Sequence, residues 1–347
     1  MAISDYNKIK DINVASASGA PTISKTQCLK ISSGDDSTTG VGEIILDWTN
    51  ISSKADIAIY DENNNLLDYY FESFDDTEET AVIWVYRDWV QDDTKQLRIV
   101  YGNGDSDQSV GASTVFDNET DLVAGYLFNE SSGDLLDVTS NNNDGTVNGA
   151  TQGEEGIVGD AYDFDGVDDW VGISHDSSMD FGTSNFTVII WFKSSSFVSG
   201  SRIFSKGGES RCAVKVDELF VFIVDDSNIK TPLSLNVDGL DDDNWHMLII
   251  QRDYGNQLKM KVDDGIFETT SDETGDISNT YDTQIAALEY YDTAHFGGKV
   301  DNLRVCFTLL SEDVLSALYS ATKTTPDFFS QEAGVAGGNT TNFFQFF

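Results

Sequence analysis

The stretch DAYDFDGVDDWVGI (160–173) places five aspartates among aromatic and aliphatic residues. A calcium loop of the EF-hand type needs Gly at its sixth position and Glu at its twelfth, and this spacing is absent. Apolar residues on either side of Gly166 instead predict two short strands joined by a tight connection. The aspartates are then expected to crowd that turn.

Apolar residues with a period of two recur along most of the chain, separated by turn sequences such as NNN, DDT and GNGD. This pattern predicts β-strands and an all-β protein. A polar stretch, GNGDSDQSVGAS, separates a first series of strands from a second that begins with DLVAGYLF (121–128). The first series, which predicts a small β-sandwich, consists of EIILDW (43–48), ADIAIYD (55–61), TAVIWVYRDWV (80–90) and QLRIVYG (96–102).

One short helix is predicted near the C-terminus. Ser311 can cap it, and Glu312 and Asp313 lie in its first turn, where the helix dipole favours acidic residues. Four apolar residues then share one face, so we expect this helix to close the second domain.

The sequence ends in a Gly- and Asn-rich tail with six phenylalanines in pairs. Each Phe left in water forgoes about 1.5–3 kcal/mol of burial, so a free tail of this kind is unfavourable. We therefore expect the tail to dock on another subunit or another protein through Phe328, Phe329, Phe343, Phe344, Phe346 and Phe347.

The charge is strongly unbalanced, since 60 Asp and Glu against 20 Lys and Arg give a net charge of −40. Such a field repels phosphate backbones and anionic membranes, which argues against nucleic-acid binding. Molar salt shortens the Debye length to about 3 Å and removes the self-repulsion. The charge therefore favours a hypersaline source, a haloarchaeon or one of its viruses; the alternative is an acidic, Ca²⁺-dependent surface protein from an ordinary habitat.

The N-terminus, MAISDYNKIK, has no apolar run of the length that a secretory signal requires, and no 18-residue apolar segment follows. We expect a protein that is neither inserted in a membrane nor exported by the usual signal.

The second series of strands resembles the concanavalin A-like, laminin-G-type jelly-roll family over about residues 120–322. The matching segments occur in the family's order: LVAGYLFNESSGDLLDVTSNNNDGTVNGA, AYDFDGVDDWVGI, MDFGTSNFTVIIWFKS, RIFSKGG, NWHMLIIQRD, LKMKVDDG and GGKVDNLRVCFTLLSEDVLSALY. The resemblance implies that the stretch 160–173 is a structural hairpin of this fold. We expect a laminin-G-like jelly-roll domain over 117–323.

The first series is similar to an uncharacterised β-rich family found upstream of laminin-G-like domains in prokaryotic surface proteins. The matching pieces are ADIAIYDENNNLLDYYFESFDDTEETAVIWV and LRIVYGN. We expect a β-sandwich domain of unknown function over 1–116 and an extended docking tail over 324–347.

The laminin-G-like resemblance implies a Ca²⁺ site at Asp137, Asn141 and Asp301. Carboxylate and amide oxygens are the ligands that Ca²⁺ prefers. The alternative is that these residues only form turns in an Asp-rich chain. Ser140 departs from the family pattern, where Gly is usual.

Aromatic residues that could stack on sugar rings are Trp245, Tyr254, Tyr290 and Tyr291, although most aromatics of a β-sandwich lie in its core. No catalytic residue is predicted. The chain lacks the E-x-D-x-x-E arrangement of glucanases with this fold, and its three histidines have no metal-ligand spacing. His246 is expected to be packed rather than catalytic.

These features favour a non-enzymatic virion surface protein of a haloarchaeal virus, such as a capsid turret, spike or tail-fibre component. Its expected partners are further copies of itself, other virion proteins and host surface glycans. The alternative is a carbohydrate-binding adhesin at the cell surface or S-layer, and a glycan-active enzyme is the third hypothesis.

Overall fold

The computed structural model describes residues 8–15, 23–34, 44–89, 94–102, 104, 106–197, 201–207, 213–215, 220–224, 230–234, 239–288, 295–322, 329–331 and 341–345. The contacts between residues divide the chain into two compact units. The N-terminal unit combines Met1–Glu119 with Ser311–Phe347, and the second unit is Thr120–Leu310.

The N-terminal unit contains two β-sheets. Its strands are β1 (Lys8–Ala15), β2 (Ile23–Ser33), β3 (Ile44–Leu46), β4 (Ile57–Asp61), β5 (Tyr69–Asp75), β6 (Thr80–Trp89) and β7 (Thr94–Tyr101). A short helix, α1 (Ala112–Phe116), follows them. β3, β2, β6 and β5 form a four-stranded sheet in that order.

The chain returns to this unit after the second one. It supplies α2 (Glu312–Thr322), β23 (Phe329–Gln331) and β24 (Thr341–Gln345), where the two strands are numbered in chain order. α2 packs against β2, so the helix belongs to the N-terminal unit and not, as the sequence predicted, to the domain that precedes it. β24 pairs in parallel with β1 and completes a sheet in the order β23-β24-β1-β7-β4.

The second unit contains the remaining strands, in two sheets. They are β8 (Leu122–Tyr126), β9 (Gly145–Asn148), β10 (Thr151–Glu155), β11 (Asp160–Asp165), β12 (Trp170–Ile173), β13 (Phe186–Lys193), β14 (Arg202–Lys206), β15 (Ala213–Lys215), β16 (Phe220–Val224), β17 (Lys230–Ser234), β18 (Trp245–Asp253), β19 (Gln257–Val262), β20 (Glu268–Ser271), β21 (Thr283–Ile285) and β22 (Gly297–Cys306).

The larger sheet has the order β10-β11-β22-β13-β18-β19-β20, with β8 also paired to β22. The other sheet has the order β17-β16-β15-β14-β21-β12-β9. One apolar core includes residues from both sheets, among them Tyr162, Phe186, Phe192 and Phe204. Two sheets facing one core form a β-sandwich, and the all-β prediction with one short C-terminal helix is confirmed.

The stretch 160–173 does not form a hairpin. β11 pairs with β10 and β22 in the larger sheet, whereas β12 pairs with β9 and β21 in the other. The turn at Gly166, which has φ of 75°, therefore carries the chain from one sheet to the other. Phe164 before the turn and Val171 after it both enter the shared core. The two strands were predicted correctly, but their pairing with each other was wrong.

Within the described residues, no helix is both long and apolar enough to cross a membrane.

Candidate functional site

The carboxylate of Asp137 lies in the loop after β8 and is nearly covered. It accepts hydrogen bonds from the backbone N–H groups of Gly125 (3.1 Å), Thr139 (3.0 Å) and Asn143 (3.0 Å), and from the Thr139 hydroxyl (2.9 Å). Burial raises the pKa of Asp137, and these donors lower it in part. The carboxylate thus holds its own loop against β8.

Asp301 lies in β22 and is fully buried. Its Oδ2 accepts hydrogen bonds from the backbone N–H groups of Ile157 (2.9 Å) and Val158 (3.1 Å), and its Oδ1 accepts one from Asn302 Nδ2 (2.8 Å). Burial raises the pKa of Asp301 to about 8, although these three donors favour the charged form. This carboxyl fastens the loop after β10 to the sheet.

Asn141, the third predicted calcium ligand, donates its side-chain N–H to the carbonyl of Val123 at 2.9 Å. All three predicted ligands therefore have hydrogen-bonding roles within the fold. A Ca²⁺ ion at these residues stays a prediction.

Three other carboxylates lie close together in the turn between β11 and β12. Ligand oxygens of Asp165, Asp168 and Asp169 lie within 4.8 Å of one another. Asp165 Oδ1 accepts hydrogen bonds from the backbone N–H groups of Val167 and Asp168, and these bonds lower its pKa, while burial raises that of Asp169. Since Asp169 Oδ2 accepts a bond from the Asp165 N–H at 2.9 Å, the cluster stabilises the sheet-crossing turn.

The predicted sugar-binding aromatics do not lie together. Trp245 begins β18, and Tyr254 follows its other end, where its ring covers the Arg252 guanidinium at 4.8 Å. The two aromatic residues therefore lie at opposite ends of the nine-residue strand that Trp245 begins. Tyr290 and Tyr291 lie outside the described residues.

A cleft of about 380 Å³ opens at the Trp245 end of the larger sheet. It is formed by the end of β11, the end of β13, the loop before β18 and the start of β22. Polar and charged residues and glycines dominate its lining, which includes Asp163, Lys193, Ser195, Asp243, Gly297 and Lys299. Such a cleft offers hydrogen-bonding groups to a polar ligand.

A glycine is required at the start of β22, beside the cleft. Gly298 has φ of 135°, and a Cβ atom there would lie 2.3 Å from the carbonyl oxygen of Lys193. Only glycine fits this close approach of two strands. Ser194 Oγ donates to the carbonyl of the neighbouring Gly297 at 2.8 Å, which ties β13 to β22 beside the cleft.

One row of side chains crosses four adjacent strands along the cleft. The row runs from Asp163 (β11) through Lys299 (β22) and Lys193 (β13) to Trp245 (β18), each opposite the next. Residues directly opposite one another in antiparallel strands lie on the same face of the sheet. The structure thus places one predicted aromatic, Trp245, beside the charged cleft.

His246 orders the loop that carries Asp243 into the cleft. Its Nδ1 lies 2.9 Å from Asp263 Oδ2 and its Nε2 lies 3.2 Å from Asp242 Oδ1. The hydrogen bond to Asp263, followed by the neighbouring negative charges, raises the pKa of His246. Asp243 N–H in turn donates to the carbonyl of Ser194 at 3.0 Å. His246 is held in place by its neighbours and positions this loop.

The described part of the tail lies in strands. Phe343 and Phe344 belong to β24, opposite Asn13 and Val14 of β1, and Phe329 begins β23. Phe328, Phe346 and Phe347 lie outside the described residues. The tail therefore has backbone partners within the chain, and docking on another subunit stays a prediction.

The two lysines of the cleft, Lys193 and Lys299, were not predicted from the sequence. Lys193 ends the apolar run FTVIIWFK, and Lys299 follows two glycines in GGKVDNLRV. A basic residue closing an apolar strand, and a Gly-Gly pair opening another, were the available signals. These signals indicate a shared site only when β13 and β22 are known to be neighbouring strands.

Comparison with known proteins supports both resemblances. Residues 165–315 match the concanavalin A-like lectin/glucanases superfamily, and residues 53–143 match a domain of unknown function, DUF2341. No curated protein sequence matches the chain.

Two solved structures share the fold at low sequence identity. The binding domain of Paraclostridial Mosquitocidal Protein 1 is 13% identical with a TM-score of 0.51, over 58% of this chain and 52% of that one. The receptor binding domain of the botulinum neurotoxin C/D mosaic serotype is 10% identical with a TM-score of 0.50, over 62% of this chain and 56% of that one. The matches thus span about half the length of those chains. Residues 165–315 are thus similar to the concanavalin A-like family, with which the second unit shares its fold, and this match begins in the turn that joins β11 to β12.

Proposed function

We propose that this protein is a non-enzymatic carbohydrate-binding surface protein whose second unit binds glycans in the cleft beside Trp245. The observation that carries the proposal is the polar cleft itself, within a domain that matches a lectin and glucanase superfamily. Carboxylates, lysines and serine hydroxyls can hydrogen-bond sugar hydroxyls, and an indole ring can stack on a sugar face.

The two similar structures support this proposal at the level of fold. One is a binding domain and the other a receptor binding domain, and these roles belong to those two proteins. A β-sandwich that presents loops and clefts at the ends of its sheets is suited to binding a ligand.

The test is glycan binding by the full chain, measured on an array of neutral and acidic polysaccharides. Ser195 is exposed and lines the cleft, so Ser195→Trp should obstruct it and abolish binding. Ser132 is an exposed serine of the same unit that does not line the cleft, so Ser132→Trp should bind like the wild type. Absence of binding to every glycan, or equal binding by both variants, would refute the proposal.

We further propose that the surface is that of a haloarchaeal virus particle, as a turret, spike or tail-fibre component. The net charge of −40 and the tandem β-rich units support this. Stability should then rise with salt toward molar concentrations, because screening reduces self-repulsion. A cell-surface or S-layer adhesin is the second candidate. Finding the protein in envelopes of uninfected cells, and not in purified particles, would favour the adhesin.

We also propose that Ca²⁺ stabilises the second unit through Asp137, Asn141 and Asp301. Saturating Ca²⁺ at a hundredfold excess over its dissociation constant contributes about 2.7 kcal/mol. Added Ca²⁺ should raise the melting temperature of the wild type and leave that of Asp137→Ala unchanged. An unchanged wild-type melting temperature after chelation in high salt would exclude the site.

Finally, we propose that the tail takes part in assembly into homo-oligomers or with other virion proteins. Exchange of β24 between copies would preserve its pairing with β1, because a swapped strand makes the same contacts in another copy. A chain ending near Thr325 should then lose oligomers that the full chain forms, as measured by light scattering. Equal assembly of both chains would remove this role.

A further inference from the structure

Two lysines line the cleft from directly opposed positions on neighbouring strands. Lys193 on β13 and Lys299 on β22 are cross-strand partners, and both line the cleft. Side chains directly opposite in an antiparallel pair have Cβ atoms about 4.5–5.5 Å apart, and like charges there repel.

The nearby carboxylates flank this pair and do not separate it. Lys299 Nζ donates to Glu154 Oε2 at 3.0 Å, and Glu154 lies on β10, beyond β11. Lys193 Nζ lies 3.7 Å from Asp243 Oδ1, in the loop before β18. In the strand order, these two carboxylates lie on opposite sides of the β22–β13 pair. Asp163, opposite Lys299 on β11, is on the Glu154 side as well.

We infer that Lys193 and Lys299 form an anion-binding subsite, so that the glycan bound in this cleft carries carboxylate or sulfate groups. An oxyanion bound over the two strands can accept a charge-assisted hydrogen bond from each ammonium group, in place of its present carboxylate partner. The lysine side chains are 30% and 22% exposed, so a ligand can reach them while they remain partly shielded from water.

This inference rests on the proposed function and narrows it to one class of ligand. Carboxylate and sulfate share the chemistry that the lysines recognise, and the two sources can be compared on one sugar backbone. Dextran, carboxymethyl-dextran and dextran sulfate provide that comparison. In about 1 M NaCl the long-range repulsion between the acidic protein and a polyanion is screened, while partly buried contacts are weakened less.

The experiment is titration of the full chain with these three polymers in molar salt. We expect at least one anionic derivative to bind at least tenfold more tightly than dextran. Lys193→Gln and Lys299→Gln should each weaken its binding about ten- to a hundredfold, as expected for loss of a hydrogen bond to a charged group. The control is Lys259→Gln, which removes the same charge from β19, outside the cleft. It should bind like the wild type.

Two results would overturn the inference. One is equal affinity for dextran and both anionic derivatives. The other is anion binding that all three lysine variants reduce alike, since this reflects net charge and no specific subsite. If a neutral glycan on the array still binds and Ser195→Trp abolishes that binding, the proposed function survives without the anionic subsite. If no glycan binds at all, both fail.

Discussion

The two ends of the larger sheet in the second unit place basic side chains in opposite environments. At one end, Arg252 is fully buried and pairs with Asp272 at 2.8 Å. Its remaining N–H groups donate to the carbonyls of Gly182, Thr274 and Gly275 and to the Thr274 hydroxyl. At the other end, Lys193 and Lys299 occupy opposed positions on neighbouring strands, line an open cleft and are partly exposed.

This difference separates residues that hold the fold from residues that are available to a ligand. A guanidinium whose donors are paired in the interior ties together loops that are distant in sequence. An ammonium group in an open cleft, opposite another ammonium group, contributes little to stability. The contrast predicts large stability losses at the Arg252 end and small ones at the cleft.

The largest effect is expected for Arg252→Ala. The substitution leaves the Asp272 carboxylate buried without its counter-charge, which should lower the free energy of unfolding by about 3–5 kcal/mol. Denaturant unfolding in molar salt measures this loss, with Lys259→Ala on the same sheet as control. A loss no larger than that of the control would contradict the structural role of Arg252.

A loss of comparable size is expected for Asp301→Ala, which lies between the two ends. Each backbone N–H of Ile157 and Val158 left unpaired should cost about 1–3 kcal/mol. Asp301→Asn keeps an acceptor for these groups and should lose much less stability. Equal losses in the two variants would show that the two hydrogen bonds do not fasten this loop.

The same pair of variants tests the protonation of Asp301. Burial raises its folded-state pKa from 3.8 to about 8, so the folded protein binds more protons than the unfolded chain between these values. This carboxyl should therefore make the free energy of unfolding fall as pH rises through that window, and its contribution is constant above it. Subtracting the pH profile of Asp301→Asn isolates the effect. Parallel profiles would contradict the raised pKa.

A loss of about 1 kcal/mol is expected for His246→Gln below pH 6.5, where the hydrogen bonds are to charged groups. The two carboxylates raise the folded-state pKa above the ordinary 6.5, so the stabilisation is complete below that value. It disappears as pH rises through the raised pKa. Thermal unfolding at several pH values measures it, and a loss that does not depend on pH would contradict the charged state of His246.

The smallest stability effects are expected at the cleft itself. Lys193→Gln and Lys299→Gln should each change the free energy of unfolding by no more than about 0.5 kcal/mol, as partly exposed charges do. When both are measured on the same preparations, these variants should lose glycan binding and keep their stability. A large loss of stability would place these lysines with Arg252, among the residues that hold the fold.

The strands were predictable because runs of β-branched and aromatic residues, bounded by turn sequences, favour the extended backbone. The segments FTVIIWFK, WHMLIIQRD and QLKMKVDDG were predicted as strands, and they contain β13, β18 and β19. The resemblance to the concanavalin A-like family, built from such segments in order, is matched over residues 165–315. Local pattern and segment order were sufficient for the fold class.

The site was less predictable. Trp245 was identified as an aromatic candidate, and the structure places it beside the cleft. Asp163, Lys193, Asp243 and Lys299 were not identified, because dozens of residues separate each from the next in the sequence. Only the register of β11, β22 and β13 brings three of them into one row.

The sequence by itself determined many of the strands and, where polar and apolar residues alternate, which residues face a core, because a period of two follows from the backbone geometry of any strand. It did not determine which strands pair. Phe164 and Val171 enter the same core whether the turn at Gly166 closes a hairpin or crosses between sheets, so their pattern is the same in both cases. Hydrogen bonding to strands distant in sequence decided that choice, and with it the neighbours of every side chain in the cleft.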